Sequence, residues 1–194
     1  MKHLKIIGLA LVAAAAFMAF AGSASAAPTL TSPAGTAYKG TLTASGEGSL
    51  LLKATFANVT CTESAVGGEV TTNNETEASG PIKTLTFGNC GSNDPVTKTF
   101  GTVSINQKTE VFSSNTVVAI TNTSLGIVCA YGTTTNTKLG TFTQSANSTS
   151  AATLDINAAL PYVSAHSTGS AFACGNGTWS GSYAVTKPLG LFSV

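Results

Sequence analysis

The sequence predicts an all-β protein, an antiparallel sandwich or barrel of about 10–13 short strands held by two disulfides. Three observations lead to this fold class. Apolar and polar residues alternate with period two in many segments, and clusters of turn-forming residues separate those segments at short intervals. Four cysteines follow an N-terminal export signal. No segment after that signal predicts a helix.

The segment Leu50–Phe56 shows the strand pattern most clearly, because its even-numbered residues are apolar while Lys53 and Thr55 face the other way. The same alternation, rich in β-branched residues, predicts further strands at Lys83–Phe87, Thr102–Asn106, Thr116–Ile120 and Thr153–Asn157. The turn at Gly175–Gly177 predicts a hairpin between strands at Ser170–Cys174 and Thr178–Thr186. Other turns are predicted at Gly67–Gly68, Ser79–Pro81 and Asn89–Asn93.

The N-terminus has the three parts of a secretory signal peptide. Two lysines lie within residues 1–5, an apolar run spans Ile6–Phe20, and Ala24–Ala26 forms a small-residue cleavage site. A retained anchor is disfavoured because a membrane-spanning helix needs about twenty apolar residues. We therefore expect residues 1–26 to be removed after Ala26, leaving one secreted domain at 27–194, extracellular or on the cell surface, without a membrane span.

Cys61, Cys90, Cys129 and Cys174 all belong to the predicted mature domain. An even number of cysteines in an exported chain indicates two disulfides, and four cysteines allow three pairings. Pairing of cysteines that follow one another in the sequence favours the disulfides Cys61–Cys90 and Cys129–Cys174, because each bond then closes a loop within one half of the chain. No CxxC pair occurs, so a zinc site is disfavoured, and neither a metal nor a cofactor is predicted.

Composition limits the function. Residues 27–194 contain 31 Thr and 19 Ser, but only seven Lys, eight Asp or Glu, one His and no Arg. General acid–base catalysis, phosphate binding and nucleic-acid recognition rely on His, Arg or clustered carboxylates. The composition therefore argues against an enzyme and against a nucleic-acid partner. Apolar residues recur throughout and no charged or proline-rich linker interrupts them, which predicts a single compact domain.

Few residues qualify as candidates for a site. His166 could act with Ser164, Ser167 or Asp155, but no G-x-S-x-G nucleophile elbow accompanies it, so a catalytic role is disfavoured. The eight acidic residues could supply a glycosidase pair, yet nothing singles out any two of them. Trp179 and Tyr183 share one face of a strand and are the candidate ligand platform, for instance for carbohydrate, although packing in the core is the favoured role.

Several phrases of the sequence resemble a known family. The mature N-terminal part resembles the protein activator of alkane oxidation family at residues 32–38 and 58–62. Later segments resemble exported bacterial β proteins with the same four-cysteine layout, at residues 85–90, 152–156 and 178–183. The resemblance implies a small secreted protein associated with hydrocarbon use and biofilm matrix, and it implies no catalytic or binding residue.

Together these observations predict a non-catalytic surface or matrix protein that promotes adhesion, biofilm or contact with hydrophobic substrates such as alkanes. A nearly neutral, hydroxyl-rich surface offers little charge repulsion, so self-association and adsorption to a hydrophobic surface or extracellular matrix meet a small electrostatic barrier. The alternative is a small secreted carbohydrate-binding or hydrolytic domain that uses Trp179 and acidic residues.

Overall fold

The computed structural model describes residues 29–32, 36–91, 95–133 and 135–193, so the predicted signal peptide at 1–26 lies outside the described residues. The described residues contain fifteen strands, a 3₁₀ turn at Ser164–His166 and one single-turn helix, α1, at Ala171–Cys174. The strands are β1 (Leu30–Thr31), β2 (Gly40–Ala54), β3 (Asn58–Cys61), β4 (Glu63–Val70), β5 (Thr72–Asn73), β6 (Glu77–Gly88), β7 (Val96–Thr99), β8 (Thr102–Asn106), β9 (Val111–Ser114), β10 (Val117–Asn122), β11 (Ile127–Gly132), β12 (Thr137–Thr143), β13 (Thr153–Leu160), β14 (Gly177–Lys187) and β15 (Phe192–Ser193). The all-β antiparallel class is confirmed.

Eight strands close into an antiparallel barrel in the order β14-β13-β12-β9-β8-β6-β4-β2, and β2 pairs back to β14. The closing pair is long, with Gly177 opposite Ala54 near one end and Val185 opposite Ala44 near the other. Every strand of the barrel is thus paired on both sides. Closure removes the free edges through which open sheets associate.

Glycines inside the barrel strands allow close backbone approach. A Cβ added at Gly80 in β6 would overlap the carbonyl oxygen of Glu69 in β4. The β4–β6 register shifts at Gly67–Gly68, and such bulges bend a sheet toward closure. The turns predicted at Gly67–Gly68 and Ser79–Pro81 are therefore wrong, because both segments lie inside strands. Glycine there allows the sheet to bend and the neighbouring backbones to approach closely.

The predicted strands at residues 50–56, 83–87, 102–106, 116–120 and 153–157 all overlap observed strands. The predicted strand at Ser170–Cys174 is wrong, since Ala171–Cys174 form α1. The Ser170 hydroxyl accepts a hydrogen bond from the Ala173 backbone N–H at 3.2 Å, which is the N-cap interaction that favours a helical turn. Instead of a hairpin with this segment, β14 pairs with β13 and β2.

A second sheet, β11-β10-β7, packs on the same core. Ile120 and Tyr131 on one of its faces are fully buried in the main core cluster. On the other face, Ala119 and Ala130 form a smaller cluster that is covered by Val163. Because both faces are covered, β10 is buried over four consecutive residues.

Two disulfides complete the fold, and the predicted pairing is confirmed. Cys61 in β3 is bonded to Cys90, which follows β6, and their Cα atoms lie 4.0 Å apart. Cys129 in β11 is bonded to Cys174 in α1, with a Cα separation of 5.5 Å. The second bond fixes the short helix to the second sheet.

Candidate functional site

Trp179 and Tyr183 lie inside the barrel. Both belong to β14, and only 7% and 1% of their surfaces are exposed. Their rings meet edge to face with centroids 6.2 Å apart, and Phe87 packs against Trp179 in the same manner at 5.9 Å. Such pairs add to the stability that burial of the rings provides. The two side chains therefore form part of the core and of the inner wall, and they offer no platform on the surface.

The Tyr183 hydroxyl is satisfied within the wall. It lies 2.8 Å from the Ser64 hydroxyl, which in turn donates to the Thr86 carbonyl oxygen at 2.7 Å. Burial raises the pKa of Tyr183 to about 12, and the hydrogen bond with Ser64 limits that rise. The phenol therefore stays neutral at physiological pH and is hydrogen-bonded within the wall.

The barrel interior holds an apolar cavity of about 50 Å³ that is partly open to its surroundings. Every one of the eight barrel strands contributes at least one side chain to its wall. The lining residues are Leu42, Val66, Ile82, Leu85, Val103, Phe112, Leu139, Leu154, Ile156, Trp179 and Tyr183. All of them are aliphatic or aromatic, and no polar atom of the wall faces the cavity.

The residues considered for catalysis are not brought together. His166 lies in the exposed 3₁₀ turn with its Nε2 atom 3.4 Å from the Thr99 hydroxyl. Asp155 instead accepts a hydrogen bond from Ser182 at 2.6 Å, and the Ser167 hydroxyl donates to the Val163 carbonyl oxygen. None of these hydrogen bonds links the histidine to a serine or to the carboxylate.

The described carboxylates are all exposed or half-buried. Glu69 pairs with Lys83 at 2.7 Å on the surface, and Glu63 accepts a hydrogen bond from Asn89. In the part of the chain that the structure describes, no three His, Cys, Asp or Glu side chains form a group able to hold a metal ion. Within the same residues, no helix is both long and apolar enough to cross a membrane.

The most unusual surface side chain is Phe172, which is 96% exposed. It lies at the second position of α1, two residues before the buried Cys174 that is bonded to Cys129. The Tyr131 hydroxyl also donates to the Cys174 carbonyl oxygen at 3.0 Å. A disulfide, a buried tyrosine and the Ser170 cap therefore hold a large apolar ring in water.

The segment that leads into α1 is also fixed, because it covers the free edge of β11. The Val163 backbone N–H donates to the Ala130 carbonyl oxygen at 2.9 Å, and the Thr168 backbone N–H donates to that of Val128 at 2.9 Å. The Ser167 hydroxyl accepts from the Ala130 backbone N–H at 2.8 Å. These bonds satisfy the edge of the sheet and hold the chain up to α1 in place.

Two uncharged stretches of chain meet at this place. Residues 111–137 and 156–186 contain no Asp, Glu, Lys or Arg, and the Cys129–Cys174 bond joins one to the other. Leu125, in the β10–β11 turn four residues before Cys129, is 65% exposed. We call the region formed by the β10–β11 turn and residues 161–176 the stapled end.

Phe172 was not predicted as a functional residue, because a strand at Ser170–Cys174 would place it among alternating core positions. Two signals pointed elsewhere. Ser170 is a good N-cap residue, and Gly175 is a typical residue to end a helix after this single turn. The uncharged stretches were also visible in the sequence, but only the disulfide shows that they lie together.

Comparisons with known proteins leave the family open. A scan against protein-family models finds no match, and searches of curated proteins and of solved structures find none either. The resemblance to the protein activator of alkane oxidation family therefore stays a prediction that rests on the sequence phrases quoted above.

Proposed function

We propose that this protein is a non-catalytic, secreted surface or extracellular-matrix protein that promotes adhesion, biofilm or contact with hydrophobic substrates such as alkanes. The observation that carries the proposal is Phe172, an almost fully exposed aromatic ring on a helical turn fixed by a disulfide. Single exposed apolar residues are common, but a rigidly held phenylalanine at 96% exposure, with Leu125 in the same region, supports an apolar contact.

The energetics of the stapled end favour adsorption. Moving one phenylalanine side chain from water into an apolar phase contributes about 1.5–3 kcal/mol. Since α1 is already held by the Cys129–Cys174 bond, little conformational freedom remains to be lost on contact. The two stretches that build this end contain no formally charged residue, so contact requires no desolvation of charges from them.

A matrix role also needs assembly, and the structure limits where strands could pair between molecules. The barrel strands have partners on both sides. Among the described strands, β7 ends the second sheet; Val96, its first residue, is 53% exposed, and Phe100, which follows it, is 43% exposed. Lys98 within β7 is a charge of the kind that discourages edge pairing. Lys98 therefore disfavours β7 as an edge for pairing between molecules.

Sedimentation velocity of the disulfide-intact mature protein, with and without dispersed hexadecane, tests the proposal. The wild type should be depleted from the aqueous phase when oil is present. Phe172→Ser should lower the partition coefficient roughly tenfold or more, because the transfer contribution of the ring is lost. A wild-type monomer that stays in the aqueous phase at all oil concentrations would contradict adsorption.

Leu189→Ser is the matched control. Leu189 is 43% exposed and follows β14, whereas Phe172 precedes this strand, and the eleven residues of β14 span roughly 30 Å. The control should change oil partitioning less than about twofold, within the scatter expected for a surface substitution. Equal losses in both variants would mean that general surface hydrophobicity, and not the stapled end, drives adsorption.

The alternative of a carbohydrate-binding or hydrolytic domain has weaker support. Its platform residues Trp179 and Tyr183 are buried in the barrel, and the carboxylates are dispersed over the surface.

A further inference from the structure

We propose that the barrel interior is a binding site for a small apolar molecule of the size of xenon or a short alkane. The proposal goes beyond the adsorptive function and does not rest on it. The site is the cavity of about 50 Å³, which all eight barrel strands line with aliphatic and aromatic side chains. An eight-stranded barrel has an interior of the right width either to be filled by side chains or to hold one small ligand.

Water is a poor occupant of this cavity. A space of roughly 10–15 Å³ is enough for one water molecule, but that water needs two to four polar partners. No polar atom of the wall faces the cavity. The lining side chains carry only two polar groups, the Trp179 indole N–H and the Tyr183 hydroxyl, and the hydroxyl is hydrogen-bonded to Ser64. The cavity therefore stays dry, and an apolar guest gains dispersion contacts without displacing ordered water.

The volume sets the size of the guest. A dry cavity of ~150 Å³ lined by Leu, Ile and Phe accepts benzene or xenon. This cavity has about one third of that volume, so a spherical atom or a molecule of a few carbon atoms fits and an aromatic ring does not. Long alkanes such as hexadecane are excluded from it, which separates this site from adsorption at the stapled end.

The wall also indicates where the guest makes contact. Val66 in β4 and Val103 in β8 are the two lining residues that are only partly buried, whereas the other nine are buried. Their strands flank β6 on either side. Both valines line the cavity, so one added methylene at either position can occupy part of it.

The test is a titration of the methyl-labelled, disulfide-intact mature protein with dissolved xenon, followed by ¹H–¹³C NMR. We expect saturable shifts of the Val66 and Val103 methyl signals and none at the exposed Val96. Val66→Ile with Val103→Ile should reduce the affinity for xenon at least tenfold. Val96→Ile makes the same chemical change outside the barrel and should leave the affinity unchanged.

A wild-type protein without saturable methyl shifts would overturn the proposal. So would shifts that persist at full size in the doubly filled barrel, or that occur only around Phe172, since both would place xenon elsewhere. If the double variant does not fold, Val66→Ile alone answers the same question. Because hexadecane partitioning and xenon binding use different parts of the molecule, Phe172→Ser should keep the xenon shifts whether or not it loses adsorption.

Discussion

Removal of the Cys129–Cys174 bond should both destabilise the fold and release the stapled end. The bond closes a loop with a sequence separation of 45, for which the chain-entropy model gives about 4 kcal/mol at 25 °C. The other bond has a separation of 29 and a corresponding value of about 3.5 kcal/mol. Replacing both cysteines of either pair by alanine should therefore cost a similar free energy of unfolding.

The two double variants differ in what they do to Phe172. Cys129→Ala with Cys174→Ala frees α1 from β11, so it should lower oil partitioning and speed amide exchange at residues 170–175. Cys61→Ala with Cys90→Ala should lose comparable stability in urea unfolding while retaining both properties of the stapled end. A loss of less than about 1 kcal/mol in the first variant would refute the stability estimate. Unchanged oil partitioning and amide exchange would refute the role of the bond at the stapled end, because the hydrogen bonds of residues 163–168 would then hold this region alone.

Two further predictions concern the barrel wall. Burial raises the pKa of Tyr183 to about 12, so the unfolded chain, with a tyrosine pKa of about 10, loses that proton first as the pH rises. The free energy of unfolding should thus fall between pH 10 and 12 by up to about 2–3 kcal/mol. Urea unfolding at pH 9 and 11.5 should show this loss in the wild type and not in Tyr183→Phe. Equal losses in both proteins would contradict the prediction. Trp179→Ala should cost about 3–5 kcal/mol in urea unfolding, because it removes a ring buried against Phe87 and Tyr183, and a cost below 1 kcal/mol would contradict a core role.

Local patterns in the sequence were enough to predict six of the fifteen described strands, namely β2, β6, β8, β10, β13 and β14. Alternation at Leu50–Ala54 and Thr102–Asn106 requires nothing more than side chains on opposite faces of a strand. Glycine was harder to interpret, because Gly80 looks like a turn residue in isolation and in fact permits close approach of β4. The helical turn at Ala171–Cys174 was missed for a similar reason, since its Ser170 cap competes with an equally short strand pattern.

Long-range arrangement could not be predicted from the sequence. The barrel closes through pairing of β2 with β14, which are separated by more than 120 positions along the chain, and no local pattern specifies that register. The cavity depends on the sum of eleven side chains from eight strands, so it becomes visible only when those strands are in place. Phe172 likewise stands out only through its exposure and through the disulfide that fixes its helix, and both are features of the folded structure.

The most direct test of the central claim is whether the stapled end faces the oil. Phe172→Trp places a fluorescent indole at that end, and the native Trp179 is only 7% exposed and provides a constant background. On addition of hexadecane droplets, the emission of this variant should shift to the blue as the new indole leaves water. Leu189→Trp, beyond the far end of β14, should show no such shift. Unchanged emission in Phe172→Trp, or equal shifts in both variants, would contradict adsorption through the stapled end.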